Sequence, residues 1–209
     1  MSKIFHQTVG LAVSKVRDVT TTRELKRKEA GDYFLSHKLE YISQLASADK
    51  DKIEKFYGII NDKAAAERFG AKSINEFSHW AWRACGIVAL QMVIKSQLRD
   101  DFNKKTMDLV REGLEINGYD TKNDSGWYHS SLLKIAQKYG LSGRLAKFIP
   151  ASEIPVLIDQ DKYVLCSVKS ETGGHILLAS GYKLDEKNLW LVYGSMIQVI
   201  ILTLEKIGL

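Results

Sequence analysis

The sequence is poor in cysteine and proline, and it has no long apolar run. Only two of its 209 residues are cysteines and two are prolines. Two cysteines are too few for a disulfide framework, and they lack the clustered Cys/His spacing of a zinc site. The apolar stretches, such as residues 87–94, which Gln91 interrupts, and 199–202, are far shorter than the ~20 residues of a membrane-spanning helix. We therefore expect no disulfide-rich class, no metal centre and no membrane insertion.

Charge of one sign is not concentrated anywhere along the chain. There are 30 basic and 25 acidic residues, a formal net charge of +5, and the excess is spread over the whole sequence. Nucleic-acid binders usually gather Lys and Arg on one face or in one tail, so we expect no nucleic-acid partner. The first residues lack a basic region that leads into an apolar segment with a small-residue cleavage site. This pattern predicts a cytoplasmic protein.

Helical patterns dominate the first two-thirds of the chain, which contains no proline before Pro150. The apolar periodicity predicts helices over residues 21–45, 49–60, 64–69, 84–94, 103–116 and 129–139. The segment 84–94 is apolar almost all round, which is typical of a helix at the centre of a fold.

Strand patterns follow Pro150. Ser152 is positioned to cap a short helix, and four runs rich in Val, Ile, Leu and Tyr then alternate with turn residues. These runs cover residues 163–168, 176–182, 189–193 and 198–204 and predict an antiparallel meander. Helices followed by a sheet indicate an α+β fold.

Cys85 stands where the apolar central helix begins. The free amides and the dipole at a helix N-terminus favour an anion, which lowers a thiol pKa and creates a nucleophilic thiolate. The Cys85 amide would also point towards an oxyanion. The alternative is a small core residue, the commoner role of a free cysteine. Cys166 lies inside a predicted core strand, and we interpret it as packing.

His175 follows Gly173-Gly174 and opens a predicted strand. A histidine at the start of a strand that packs beside a helix N-terminus can act as the base that a cysteine nucleophile needs. A Cys85–His175 dyad would require no cofactor. The alternative is an exposed histidine in a surface turn.

Several segments resemble the bacteriocin-processing cysteine peptidases, the family numbered thirty-nine among cysteine peptidases. Residues 79–92, HWAWRACGIVALQM, resemble the nucleophile helix of that family, including a Met seven positions after the Cys. Residues 126–129, Gly-Trp-Tyr-His, resemble its middle segment, and residues 173–182, GGHILLASGY, resemble the segment with its histidine. The similarity covers about residues 77–195.

The resemblance implies a papain-like fold in which the nucleophile helix packs on a C-terminal antiparallel sheet. It implies a peptidase domain over residues 71–209, with residues 1–70 as a helical extension or cap that could dock a protein partner. Cys85 would attack a carbonyl of a peptide or protein substrate, and His175 would act as base and then as acid. Family members often cut after a Gly-Gly leader, so the resemblance implies peptide-bond hydrolysis, of which leader-peptide processing is one form.

The sequence departs from the family pattern at four places, two of which are Ala84 and Ile87, where the family often has an acidic residue and a Pro. His79 replaces the Gln that helps to hold the oxyanion, and a His can donate the same hydrogen bond, although it could equally be an ordinary polar residue. The family's orienting Asp should fall near residues 192–195, which read Val-Tyr-Gly-Ser. Asp185 or Asn188 could supply the third group if the hairpin were short.

Three functions stay open at this point. The first is a cysteine peptidase, or a related amidase, that uses Cys85 and His175. The second is a catalytically impaired peptidase-like domain that binds a peptide or leader sequence by strand addition. The third is a structural partner protein whose contact surface is aromatic, although these side chains fit a core or a cleft wall equally well. The aromatic residues concerned are Trp80, Trp82, Trp127 and Tyr128.

Overall fold

The structure, a computed structural model, describes residues 2–37, 39–54, 57–170, 173–185 and 197–204. Its described residues form an α+β fold of helices and two small antiparallel sheets. The helices are α1 (Ser2–Leu25), α2 (Lys63–Phe69), α3 (Ile74–Ala81), α4 (Cys85–Leu98), α5 (Thr106–Glu115), α6 (His129–Lys138) and α7 (Glu153–Asp159). The strands are β1 (Gly31–Phe34), β2 (Leu141–Ile149), β3 (Tyr163–Ser170), β4 (Gly173–Ala179), β5 (Gly181–Leu184) and β6 (Ile197–Leu204).

The larger sheet has four strands in the order β2-β6-β3-β4. Because β6 pairs with both β2 and β3, the last strand lies inside the sheet, and the predicted meander is wrong in its order. Strand β4 lies at an edge, with His175 opposite Val168 of β3. Among the described strands, none pairs with the other side of β4.

The smaller sheet joins the N-terminal part of the chain to its C-terminal half. Strand β1 pairs with β5 from Gly31–Leu184 to Phe34–Gly181. Tyr33 and Tyr182 stack across this pair with ring centroids 4.8 Å apart. Residues 31–34 are therefore part of the packed body.

Helix α4 is the centre of the core, as its apolar sequence predicts. Ile87, Leu90, Val93 and Ile94 are fully buried. The helix contacts α5 and α6 on one side and β3 and β4 on another. A helix that is apolar on all sides can be accommodated because each side has a packing partner.

Two predicted helices in the N-terminal part are wrong. Helix α1 ends at Leu25, and the region predicted as helix 21–45 continues as strand β1 and then as irregular chain. In the region 49–60, the described residues form one 3-10 turn, Lys50–Lys52, where the Asp49 carboxylate accepts from the Asp51 amide. A distant strand supplies backbone hydrogen bonds to residues 31–34, and this pairing overrides the local periodicity.

Most of the other predicted elements are confirmed. Helices α2, α4, α5, α6 and α7 lie close to their predicted bounds, and so do β3 and β6. The predicted strand 176–182 is interrupted at Ser180, which separates β4 from β5. The sequence patterns missed β2, and the predicted strand 189–193 lies outside the described residues. Over the described ranges, no helix combines the length and apolarity that crossing a bilayer requires.

Candidate active site

Cys85 is the first residue of α4. The chain enters this helix through Ala84, whose backbone is not helical (φ −86°, ψ 10°), and the Ala84 carbonyl oxygen accepts from the Val88 amide at 2.8 Å. The first amides of a helix have no acceptor inside it, so the amides of Cys85 and Gly86 are available to an anion. Both of them interact with the Cys85 sulfur.

Strand β4 brings His175 to the same place. The backbone amide of Ile176, the next residue after His175, interacts with the Cys85 sulfur. Gly86 permits this close packing, since a Cβ there would lie 2.9 Å from Leu132 Cδ1 and 3.0 Å from Ile176 Cδ1. Cys85 and His175 line one small cavity of about 140 Å³ between α4 and β4. Both residues that the sequence singled out therefore line this cavity.

Burial shifts the pKa of both groups towards their neutral forms. It raises the pKa of the Cys85 thiol above its ordinary value of 9.0, although the amides of Ile176, Gly86 and Cys85 oppose the shift. Burial likewise lowers the pKa of His175. The expected lowering of the thiol pKa is therefore wrong, because desolvation outweighs the helix N-terminus. Within the described chain, no hydrogen bond joins the two side chains, and the pair at neutral pH is thiol and imidazole.

The small cavity, which we call the inner pocket, has mostly apolar walls. Helix α4 and strand β4 provide two sides, and the irregular segment 41–44 provides the third. The residues that line it besides Cys85 and His175 are Tyr41, Ile42, Gln44, Val88, Ala89, Met92, Ile176, Leu177 and Leu178.

A larger cavity, which we call the outer cavity, opens on the other side of Cys85. Its volume is about 580 Å³, and Cys85 and Gly174 form part of its wall. Gly174 has open space where a Cβ would stand. The remaining wall combines aromatic rings with the polar loop that precedes α6. Those residues are Tyr57, Trp82, Arg83, Tyr119, Asn123, Asp124, Ser125 and Gly126.

A charged network holds that polar loop against the start of α4. The Arg83 guanidinium donates to both carboxylate oxygens of Asp124, at 2.8 Å from Nε and 2.5 Å from Nη2, and the Tyr119 hydroxyl also donates to Asp124. The Arg83 hydrogen bond holds the pKa of Asp124 at about 2. Sequence reasoning missed these residues. The polar run between Tyr119 and Gly126 could have indicated this loop from the sequence. In it, the Asp120 carboxylate accepts hydrogen bonds from Asn123 and Ser125, as in an Asx turn.

His79 lies at the exposed end of α3 and is not among the residues that line either cavity. Its ring contacts Trp80 edge-on, with centroids 4.9 Å apart. Burial and the nearby Arg83 charge lower the pKa of His79, while Asp124 raises it. Its role beside an oxyanion stays a prediction.

Two of the three candidate locations for the third group of a triad lie outside the described residues. Residues 192–195 and Asn188 lie outside the described residues, and Asp185 is an exposed residue directly after β5. Cys166, interpreted as packing, is buried in β3, and burial raises its pKa to about 12.

The tryptophans of the predicted contact surface pack in the core or line the outer cavity and do not form an exposed surface. Trp127 is buried, and its indole nitrogen donates to the Arg83 carbonyl oxygen at 2.8 Å. Trp80 packs edge-on against Tyr119, and Trp82 lines the outer cavity. Tyr128 is the one exposed residue of the four predicted residues, with 47% of its surface accessible.

Comparisons with family models, curated proteins and solved structures give no match to this chain. The described residues also hold no cluster of three or more His, Cys, Asp or Glu side chains suited to a metal ion. Function must be argued from the site itself.

Proposed function

We propose that this chain is a papain-like cysteine peptidase that hydrolyses peptide bonds through Cys85 and His175. One observation carries the proposal. Cys85 begins a buried helix, its sulfur contacts the amide of Ile176, and the adjacent His175 lines the same pocket. A candidate nucleophile, a candidate base and backbone amides thus lie around the same pocket, and Cys85 also lines the outer cavity.

Because the Cys85 thiol and the His175 imidazole are both neutral, proton transfer from Cys85 to His175 accompanies the attack on the substrate. His175, whose lowered pKa leaves it unprotonated at pH 7, accepts the thiol proton as the Cys85 sulfur attacks the substrate carbonyl carbon. The amides of Cys85 and Gly86 would face the resulting oxyanion. His175 then protonates the leaving amine, and water hydrolyses the thioester. Two cavities that meet at Cys85 could receive the chain on either side of the cleaved bond.

The same proposal places the protein in the cytoplasm. Cys85 and Cys166 are both free thiols. A free cysteine nucleophile is kept reduced in that compartment. Processing of a leader peptide is the narrower form of the activity, and residues 1–70 would then be the part that docks a partner.

Peptide hydrolysis by three variants tests the proposal. A peptide mixture is incubated with the protein, and new amino termini are counted by mass spectrometry. Cys85→Ala should abolish cleavage, and His175→Ala should reduce it by about 10²-fold or more, the usual worth of a general base. Cys166→Ala is the matched control, and its cleavage should equal that of the unaltered protein. No cleavage above the Cys85→Ala background would refute the proposal.

A peptide-binding domain without catalysis is the second candidate. The raised thiol pKa and the missing hydrogen bond between Cys85 and His175 favour it. An edge strand such as β4 can bind an extended peptide through backbone pairing. In that case Cys85→Ala would bind the same peptides as the unaltered protein, and neither form would cut them.

A further inference from the structure

We propose that Arg83 is a positioning residue of the candidate active site, which holds the turn before α4 so that the Cys85 sulfur stays against its backbone amides. Asp124 is the partner through which Arg83 does this. The inference rests on the proposed function for its effect on hydrolysis, but the position of Cys85 can be measured without any hydrolysis.

Arg83 lies in a turn that is too short to absorb a displacement. Helix α3 ends at Ala81 and α4 begins at Cys85, so residues 82–84 alone join them. The last of these, Ala84, is completely buried, and it cannot move without disturbing the core. A shift of Arg83 is therefore passed on to Cys85, two positions later.

Arg83 contacts two separate parts of the fold through both its backbone and its side chain. Its amide donates to the Trp80 carbonyl oxygen at 2.9 Å, and its Nη1 donates to the His79 carbonyl oxygen at 3.0 Å, which ties it to the end of α3. Its carbonyl oxygen accepts from the Trp127 indole nitrogen at 2.8 Å, and its Nε and Nη2 donate to Asp124. Because the guanidinium is planar and has several donors in fixed directions, one side chain binds both parts at once.

The loop residue Asp124 is held in an unusual backbone conformation for this contact. Its φ of +53° lies in the left-handed region, which an aspartate adopts more readily than most residues. The Tyr119 hydroxyl donates to the same carboxylate. The Arg83 side chain is 19% exposed, so loss of Asp124 would leave a mostly buried guanidinium without its carboxylate. We therefore expect the turn to rearrange when either partner is removed.

The position of the turn decides what the Cys85 sulfur contacts. The sulfur interacts with the amides of Cys85 and Gly86, which belong to α4, and with the amide of Ile176, which belongs to β4. These contacts persist only while the start of α4 keeps its place beside the strand. Arg83, Asp124 and Cys85 also line the outer cavity, so the ion pair fixes the cavity wall relative to the sulfur. A misplacement of about 1 Å can cost an enzyme about 10²-fold in rate.

Arg111 in α5 is the matched control. It also pairs with carboxylates, with Nη2 at 3.3 Å from Glu76 and Nη1 at 3.4 Å from Asp108, and its side chain is 33% exposed. It is not among the residues that line either cavity at Cys85. Its removal should affect stability without displacing the start of α4.

Nitrogen–proton correlation spectra report directly on the amides around the sulfur. In Arg83→Ala, the peaks of Cys85, Gly86 and Ile176 should move, and millimolar guanidinium chloride should return them towards their positions in the unaltered protein. Free guanidinium can reach the vacated place because Arg83 lines the outer cavity. Sodium chloride at the same ionic strength should not return the peaks. In Arg111→Ala, the three peaks should stay in place with or without guanidinium.

Hydrolysis gives a second readout that a purely stabilising residue would not alter. Arg83→Lys keeps the charge but loses the paired donors, so it should lower kcat by about 10-fold or more. KM should change by less than about 3-fold, because the lost interaction orients the nucleophile and does not bind the substrate. Guanidinium should raise the kcat of Arg83→Ala by about 10-fold or more. Arg111→Ala should leave both constants unchanged.

The outcomes separate this inference from the peptidase proposal. Peaks that stay in place in Arg83→Ala, or that move and do not respond to guanidinium, refute the positioning role even in a protein that cuts peptides. An unchanged kcat in Arg83→Lys refutes it as well. Peaks that move and return, in a protein that cuts no peptide, support the positioning role and refute the peptidase. If Arg83→Ala does not fold, Asp124→Asn, which keeps the shape of the side chain, decides the question, because the same three amides must then move.

Discussion

Gly113 is the position where one added methyl group should disturb both the core and the candidate active site. It lies in α5, and a Cβ there would stand 2.3 Å from Cζ3 and 3.0 Å from Cη2 of Trp127. The buried indole is a rigid ring whose nitrogen donates to the Arg83 carbonyl oxygen. The ring must therefore move by about 1 Å or more to reach ordinary contact, and this hydrogen bond is weakened or lost.

The expected change in unfolding free energy for Gly113→Ala follows from two destabilising effects and one stabilising effect. Overpacking a tight core costs about 1–3 kcal/mol, and the lost hydrogen bond costs about 1 kcal/mol. Alanine gains about 1 kcal/mol over glycine in a helix. The net loss is about 1–3 kcal/mol, which in a chain of this size lowers Tm by about 2–4 °C for each kcal/mol.

Urea unfolding followed by circular dichroism measures this loss. Gly174→Ala is the control, because a Cβ there meets nothing within 4 Å, and its stability should stay within about 0.5 kcal/mol of the unaltered protein. Adding Trp127→Phe to Gly113→Ala should cost less than the two single changes together, because the smaller ring relieves the clash. An alanine variant as stable as the unaltered protein, or more stable, would refute the reasoning.

Three further predictions concern charge, the thiol and backbone conformation. Asp124→Asn should lower the free energy of unfolding by about 1 kcal/mol at pH 7, a value that solvent screening keeps small because half of the Asp124 side chain is exposed. Arg83 lowers the pKa of Asp124 to about 2, so the difference in unfolding free energy between the variant and the unaltered protein should vanish as the pH falls towards 2. Iodoacetamide should modify Cys85 more slowly than free cysteine at pH 7, because burial raises its pKa, with a rate that still rises above pH 9; a plateau below pH 7 would contradict the neutral pair. Cys166 should react more slowly still. Gly70→Ala should cost about 1 kcal/mol or more in thermal unfolding, since φ is +85° and a Cβ would lie 2.8 Å from Lys105 Cβ; an unchanged Tm would contradict this.

The sequence predicted the centre of the molecule well because local pattern and tertiary environment agree there. Residues 84–94 are apolar on every side, and the fold surrounds them with helices and a sheet. The placement of Cys85 and His175 beside one pocket could be predicted in part, because the helix start at Cys85 is visible in sequence, although β4 begins at Gly173, two residues before His175. Their neutral protonation states could not be predicted, because desolvation depends on what packs around them.

The N-terminal part was predicted poorly for the opposite reason. The pairing of Gly31–Phe34 with Gly181–Leu184 joins segments that are far apart in sequence. The local periodicity of apolar residues does not indicate which distant strand a segment will pair with. The cavity walls from Ile42 and Tyr57 were missed for the same reason. The Arg83–Asp124 pair likewise spans separate elements, and sequence spacing alone did not indicate it.

The pairing of β1 with β5 has a consequence for biosynthesis. Residues 31–34 leave the ribosome well before residues 181–184 are translated. In the nascent chain Tyr33 therefore has no contact with Tyr182, the ring on which it stacks in the folded protein. Contacts of such long sequence separation form slowly, since loop closure comes before any gain in packing. The helical parts of a newly made molecule would therefore form before residues 31–34 meet their partner strand.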